Sequence, residues 1–268
     1  QSSNHWEEVF WWLLARNFGA KLNSEAFEAI ARSIPINVLA KHKHSIHQLE
    51  ALLLGQANLL KGEFDDEYPK LLQREFNFLR KKYNLHPSSI PVVFLRMRPS
   101  NFPTIRLAQL AMLIHQTSHL FSKILDTKSL AEIRSLLEVP ANDFWHYHYT
   151  FNQASSFKKK TLGAEMANNI LINTVVPVLF AYGVFHNYDT CKEKAIDWLG
   201  QLPAEHNSIT DGFVKSGLIN KCAYDSQALI ELKNEYCNDK RCLDCSVGNY
   251  LLREAAQEYR ASSRPVSA

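Results

Sequence analysis

Residues 166–188 read MANNILINTVVPVLFAYGVFHNY and contain no charged side chain. The purely apolar stretch within them, Val175–Phe185, is far shorter than the roughly 20 residues that a membrane-spanning helix needs. Three amides, Asn168, Asn169 and Asn173, precede it, and each would cost free energy in hydrocarbon unless it found a hydrogen-bond partner. The segment therefore predicts a buried, kinked core helix and no membrane partner.

The sequence on both sides of this segment has the periodicity of α-helices. After the Asn23–Ser24 pair, which is suited to cap a helix, apolar residues recur at positions i, i+3, i+4 and i+7. Only residues 90–97, IPVVFLRM, have β character, and they are read either as a strand or as an extended connection. The other predicted helices share the helical spacing and lie near residues 4–19, 49–60, 68–83, 107–125, 129–138, 162–185, 190–199, 226–236 and 246–259.

This pattern predicts an all-α, multi-helical globule with marginal β content. Two domain organisations are compatible with it. The chain forms either one helical domain over residues 1–262, or two lobes, 1–99 and 100–262, joined near Pro99–Pro103. The small polar residues 263–268 are expected to form a flexible tail.

Composition excludes several classes of protein. The chain has 268 residues, of which 46% are hydrophobic and 21% are charged, and this is typical of a globular protein rather than a disordered one. Nine Gly and ten Pro exclude a collagen-like chain, and five Cys are too few for a disulfide framework. No secretory signal opens the sequence, so we expect a soluble cytoplasmic protein with reduced cysteines.

A basic segment is the first candidate site. Eight Lys and Arg residues stand between Lys70 and Arg106 against one acidic residue, and aromatic residues are interleaved with them. Arg96, Arg98 and Arg106 flank a proline-bounded loop, and positive charge beside aromatic rings suits the phosphates and unstacked bases of DNA or RNA. For residues 70–82 we favour a solvated helix face whose aromatic side chains point inward.

The cysteines form the second candidate site. Cys237, Cys242 and Cys245 have the spacing C-x4-C-x2-C, and three thiols within nine residues can converge on one ion. Zinc and iron–sulfur clusters usually take four protein ligands; Cys222 is the natural fourth, and a His from elsewhere in the chain is the alternative. The alternative is a set of reduced thiols in a helix–loop–helix corner.

The segment that leads into these cysteines, Ser226–Leu232, is similar to the C-terminal tail of helix-hairpin-helix DNA glycosylases. That resemblance implies a [4Fe–4S] cluster. Two features depart from the glycosylase pattern: the first cysteine spacing is two residues shorter, and Leu251 stands where the last cysteine would fall.

Two histidines form a third candidate site. His115 and His119 are four residues apart within a predicted helix, and this spacing suits a metal ion. No Glu lies between them, which excludes the metalloprotease pattern. We favour a partly solvated helix face.

Long strings in most of the chain resemble one family. These strings are EEVFWWLLARNFG (7–19), EALLLGQANLL (50–60), NFPTIRLAQLA (101–111), HYTF (148–151), NNILINTVVPVLFAYG (168–183), EHNSI (205–209) and SQALIELKNEYCNDKRCLDCSVG (226–248). Together they resemble the bacterial domain-of-unknown-function family 2851. The resemblance implies a further N-terminal region in full-length members, with acidic motifs similar to those of PD-(D/E)XK nucleases. This chain would then be the helical C-terminal part of a larger protein.

Three functions remain open at this point. The chain is a nucleic-acid-associated helical domain, a metal or iron–sulfur enzyme, or a protein-interaction scaffold without catalysis. The sequence assigns no reaction or substrate.

Overall fold

The computed structural model describes residues 2–117 and 119–262. Over these residues the protein is an all-α, multi-helical globule, as the sequence predicts. The helices are α1 (Ser2–Phe18), α2 (Ala20–Ser33), α3 (Ile36–His42), α4 (Ile46–Gln56), α5 (Glu67–Tyr83), α6 (Pro103–Gln116), α7 (Leu120–Asp126), α8 (Leu130–Leu137), α9 (Asp143–Tyr147), α10 (Ala164–Ile170), α11 (Val176–His186), α12 (Asp189–Gln201), α13 (Ser208–Lys215), α14 (Ala223–Glu231) and α15 (Ser246–Ser262). A 3₁₀ turn covers Pro99–Asn101, and π-helical turns cover Leu171–Val175 and Leu232–Cys237.

The chain groups into two compact units, residues 1–196 and 197–268. The lobe boundary expected near Pro99–Pro103 lies inside the first unit. The expected flexible tail, residues 263–268, lies outside the described residues.

In the described part of the chain, β structure is limited to one short hairpin. Strands β1 (His148–Thr150) and β2 (Gln153–Ala154) pair antiparallel. Residues 90–97 form an extended connection instead of a strand. The side chain of Asn23 holds this connection: its Nδ2 donates to the carbonyl of Val93 at 2.9 Å, and its Oδ1 accepts from Val93 N at 2.7 Å. Asn23 is therefore a buried residue within α2 and does not cap it. The helix begins at Ala20, before the Asn23–Ser24 pair that was expected to start it.

Two helices organise the first unit. Helix α1 contacts α2, α6, α7, α10 and the π turn Leu171–Val175, and α4 contacts α2, α3, α5 and α6. Helix α4 is buried from Leu49 to Gln56, where Leu49, Leu52 and Leu53 fill the core and Gly55 admits the ring of Phe76.

One acid lies in this core. Glu50 is fully buried and accepts hydrogen bonds from the hydroxyl of Tyr68 at 2.6 Å and the indole of Trp145 at 3.0 Å. Its second carboxyl oxygen, Oε1, is buried without a partner. Because burial disfavours the charged form, the pKa of Glu50 rises to about 7.

The apolar segment of the first unit is an interrupted helix. Pro177 has no N–H to donate, and the chain widens just before it, where Val176 N donates five residues back to Leu171 O.

Among helices in the described ranges, one, Ala164–His186, is long and apolar enough to cross a membrane by length and composition alone. Half of its most apolar stretch is buried inside the protein. The outer face of α11, including Phe180 and Phe185, is exposed, so the expected full burial is wrong for that face.

A helix break separates the two candidate histidines. Helix α6 ends at Gln116, and His119 has a left-handed backbone (φ 57°). His115 and His119 therefore do not share a helix face, and that prediction is wrong. His115 Nδ1 instead lies 2.6 Å from the carbonyl oxygen of Lys43.

In the second unit, the EHNSI string forms a helix cap. Asn207 Oδ1 accepts from Thr210 N at 3.1 Å, and Thr210 Oγ1 accepts from Asn207 N at 3.1 Å. This reciprocal pair satisfies the first free N–H groups of α13. The backbone oxygen of Glu205 then accepts from the Thr210 hydroxyl and from the Asn220 amide. The string therefore has a structural role in starting α13.

Candidate anion-binding cavity

A polar cavity of about 640 Å³ opens in the first unit. Its walls come from α1, α2, the start of α6, α10 and the π turn of residues 171–175. Its lining includes cationic and amide side chains, among them Arg16, Asn17, Lys21, Asn101, Arg106 and Asn173.

Arg106 is the central group of this cavity. It is half-buried, and its guanidinium donates to Asn101 Oδ1 at 2.7 Å and to Gln109 Oε1 at 3.1 Å. Among the described residues no carboxylate forms an ion pair with it. Burial lowers the pKa of Arg106 to about 10, so the group remains charged at neutral pH. Neutral amides thus position a partly desolvated positive charge, and they leave that charge uncompensated.

Amide side chains of α1 and of the π turn line another part of the cavity. Asn17 Nδ2 donates to Thr174 Oγ1 at 3.1 Å and to Asn169 O at 3.4 Å, and Asn173 Nδ2 donates to Asn169 O at 3.1 Å. The two bonds of Asn17 tie α1 to the widened helix, and the bond of Asn173 lies within that helix. Irregular π turns are frequent at functional sites because they redirect side chains.

Further charges lie at the rim. Arg16 is exposed and pairs with Glu28 at 2.7 Å, and Lys21 is exposed. Glu165 is the one acidic residue that lines the cavity. Since Glu28 already offsets the charge of Arg16, two cationic side chains, Lys21 and Arg106, face the one carboxylate of the lining, and this balance favours an anionic ligand.

The loop with the other two candidate arginines is held at both ends, and its second end, Asn101, lines this cavity. Asn23 on α2 holds Val93 at one end, and Asn101 binds Arg106 at the other. Arg96 and Arg98 lie on the loop between these ends, and both are exposed. The fold thus fixes Arg106 in the cavity and places Arg96 and Arg98 on an exposed segment anchored next to it.

Helix α5 presents a second basic surface. Its exposed cationic residues are Arg74, Arg80, Lys81 and Lys82. Phe76 is buried, as the sequence predicts, but Phe78 points outward, with Lys82 Nζ 5.7 Å from its ring centre. The expectation that the aromatic side chains of this helix point inward is therefore wrong for Phe78.

The cysteines lie in the second unit. Cys237, Cys242 and Cys245 line one cavity of about 470 Å³, whereas Cys222 is absent from its walls and precedes α14, where its backbone pairs with Pro203. In residues 2–117 and 119–262 no group of three or more His, Cys, Asp or Glu side chains is arranged as a metal site.

A third cavity, of about 650 Å³, lies in the first unit and is mostly apolar. Thr117 lines it and is buried, and its hydroxyl has no hydrogen-bond partner. Glu7 is also on its wall, and burial raises the pKa of Glu7, while the charge of His119 opposes the rise.

Sequence reasoning noted Asn169 and Asn173 only as amides that need hydrogen-bond partners, and it missed Asn17 and Asn101. Asn17, Asn101 and Asn173 stand inside the strings that carry the family resemblance, but neither their spacing nor their residue type indicates that they meet. Of the residues that line this cavity, the sequence predicts an anion-binding role for Arg106 alone.

The fold and cavities define a multi-helical protein with a polar, cationic cavity in its first unit. Residues 1–208 match the family model for "Protein of unknown function (DUF2851)", and the chain belongs to that family. The comparisons give no support to the similarity with DNA glycosylases. Neither the curated proteins nor the solved structures contain a match.

Proposed function

We propose that this protein is a nucleic-acid-associated domain that binds phosphates of single-stranded DNA or RNA at the polar cavity. The observation that carries the proposal is Arg106, a half-buried guanidinium held by the neutral side chains of Asn101 and Gln109. Desolvating a charge is costly, and a bound anion would offset that cost. A phosphate oxygen is also a strong acceptor for a guanidinium.

A polymer fits better than a small anion because further exposed cations lie outside the cavity. Arg96 and Arg98 are exposed on the adjoining loop, and α5 presents exposed cations with the exposed ring of Phe78. Cations that follow a backbone, together with a ring on which a base can stack, are typical of single-strand binding. In longer members of the family, such a domain would hold the strand for the nuclease-like region that the resemblance implies.

The test is fluorescence anisotropy of labelled single-stranded and double-stranded DNA and RNA of mixed sequence, over a series of salt concentrations. We expect binding that weakens as salt rises, with each neutralised phosphate of a single strand contributing a slope of about −0.7 in log K against log salt. The Arg96→Ala, Arg98→Ala, Arg106→Ala triple variant should weaken binding to unrelated sequences alike and reduce that slope by about two.

Arg134→Ala is the matched control, because it removes an arginine of α8 that already pairs with a carboxylate, Glu138. It should bind as the unaltered protein does. The absence of binding by the intact chain at low salt would refute the proposal and favour an interaction scaffold.

A further inference from the structure

The positive charge of the polar cavity comes from some of its walls and not from others. Lys21 on α2 and Arg106 on α6 line it, whereas the wall of α10 and the π turn, residues 164–175, contains no Lys or Arg and contributes the carboxylate of Glu165. We propose that this cavity binds the terminal phosphomonoester of a nucleic-acid strand and not a phosphodiester within the strand. The inference rests on the proposed function, and it names the part of the strand that the site recognises.

Arg106 has hydrogen-bond donors left for a ligand. A guanidinium carries five N–H groups in one plane, and Asn101 and Gln109 accept from one each. Gln109 is itself fixed, because its Nε2 donates to Lys160 O at 3.1 Å. Within the described part of the chain, the other three N–H groups of Arg106 have no acceptor. The guanidinium is thus held in position with a set of donors that can bind two oxygens of one phosphate.

A terminal phosphate matches this site better than an internal one. A phosphomonoester carries a charge of about −1.5 to −2 at neutral pH and has three free oxygens, whereas a phosphodiester carries one charge and has two. Lys21 and Arg106 supply two positive charges, since Arg16 already pairs with Glu28. Glu165 opposes an anion, but it is exposed and therefore screened more strongly by solvent than the half-buried Arg106.

The surroundings of the cavity favour one exit for a strand. The loop with Arg96 and Arg98 joins the cavity at Asn101, whose backbone N–H donates to Arg98 O at 2.8 Å. A strand that leaves over this loop meets two exposed cations, whereas a strand that leaves over α10 meets Glu165 and the apolar Met166. A single favourable exit suits the end of a strand, because an internal phosphate needs a path for the chain on both sides.

The experiment measures fluorescence anisotropy of an internally labelled single strand of about 12 nucleotides with the intact protein at low salt. Three versions of the strand carry a 5′-phosphate, a 3′-phosphate, or hydroxyl groups at both ends. We expect one phosphorylated strand to bind at least about tenfold more tightly than the hydroxyl-ended strand, the order expected for a further hydrogen bond to a charged group. Whether it is the 5′ or the 3′ version identifies the end that enters the cavity.

Variants locate this preference in the cavity. Arg106→Gln should remove the preference and still bind all three strands weakly through the loop. Lys21→Gln changes an exposed residue, so it should fold normally and reduce the preference even if Arg106→Gln fails to fold. The Arg96→Ala, Arg98→Ala double variant should weaken the three strands alike and keep the preference. Arg134→Gln is the matched control and should change neither affinity nor preference.

The outcomes separate this inference from the proposed function. Equal binding of the three strands by the intact chain would overturn the terminal-phosphate site and leave the proposed function standing. The absence of binding to any strand would overturn both. A preference that persists undiminished in Arg106→Gln and Lys21→Gln would overturn the assignment of the terminal phosphate to this cavity.

Discussion

Asn101 Oδ1 lies 2.7 Å from Arg106 Nη2, so a neutral amide, and not a carboxylate, holds this half-buried guanidinium. The two residues are five positions apart, on either side of the Pro103 that begins α6. A carboxylate at this position would neutralise the charge. The amide fixes its direction and leaves it available to an anion.

The first prediction concerns this pair. Inorganic phosphate should raise the melting temperature of the intact protein, because a ligand that binds only the folded state stabilises it by mass action. Arg106→Met should abolish this rise. Asn101→Ala should reduce phosphate affinity about tenfold, the order expected for one hydrogen bond to a charged group. Arg134→Met serves as the control and should keep the full rise; an undiminished rise in Arg106→Met would contradict the assignment of the cavity.

The second prediction concerns the buried acid. Folded Glu50 keeps its proton up to about pH 7, whereas the unfolded chain releases it near pH 4.5. Between these values the unfolded state binds fewer protons, so the free energy of unfolding should fall as pH rises, by up to about 3 kcal/mol. Glu50→Gln should lose this dependence in urea unfolding at pH 5 and pH 8. The exposed Glu63→Gln should retain it. Equal slopes for both variants would show that Glu50 is not the responsible group.

The third prediction compares two threonines that are both buried. Thr104 donates its hydroxyl to Tyr149 O, whereas the Thr117 hydroxyl has no partner. Thr117→Val should therefore stabilise the fold by about 1 kcal/mol, and Thr104→Val should destabilise it by about 1–3 kcal/mol. Thermal unfolding of both variants decides this, and destabilisation by Thr117→Val would mean that its hydroxyl is satisfied.

The fourth prediction concerns two helical glycines. A Cβ on Gly55 would lie 2.2 Å from the ring of Phe76, while a Cβ on Gly212 would meet nothing within 4 Å. Gly55→Ala should destabilise the protein by about 1–3 kcal/mol through overpacking. Gly212→Ala should stabilise α13 by about 0.5–1 kcal/mol, because alanine is the better helix former. Denaturant unfolding measures both changes, and a neutral Gly55→Ala would contradict the close packing of α4 on α5.

Some local features could be read from the sequence. Leu72, Phe76 and Leu79 repeat at helical spacing, and all three are buried along α5. Phe78 lies between them in sequence and points outward, because a helix places neighbouring residues on different faces. The spacing of apolar residues alone could not show that α6 and α7 are separate helices, since the apolar repeat continues across His119, whose backbone is left-handed.

The amino-acid sequence by itself determined that this protein is helical, where most of its helices lie, and that three cysteines share one short loop, because these properties depend on periodicity and on neighbours along the chain. Only the tertiary structure decided that Asn17 and Thr174, 157 residues apart, form one wall of the cavity that Arg106 enters. It also decided that Cys222 lies apart from the other cysteines. Contacts between distant segments depend on how the helices pack against one another, and residue spacing carries no information about that packing.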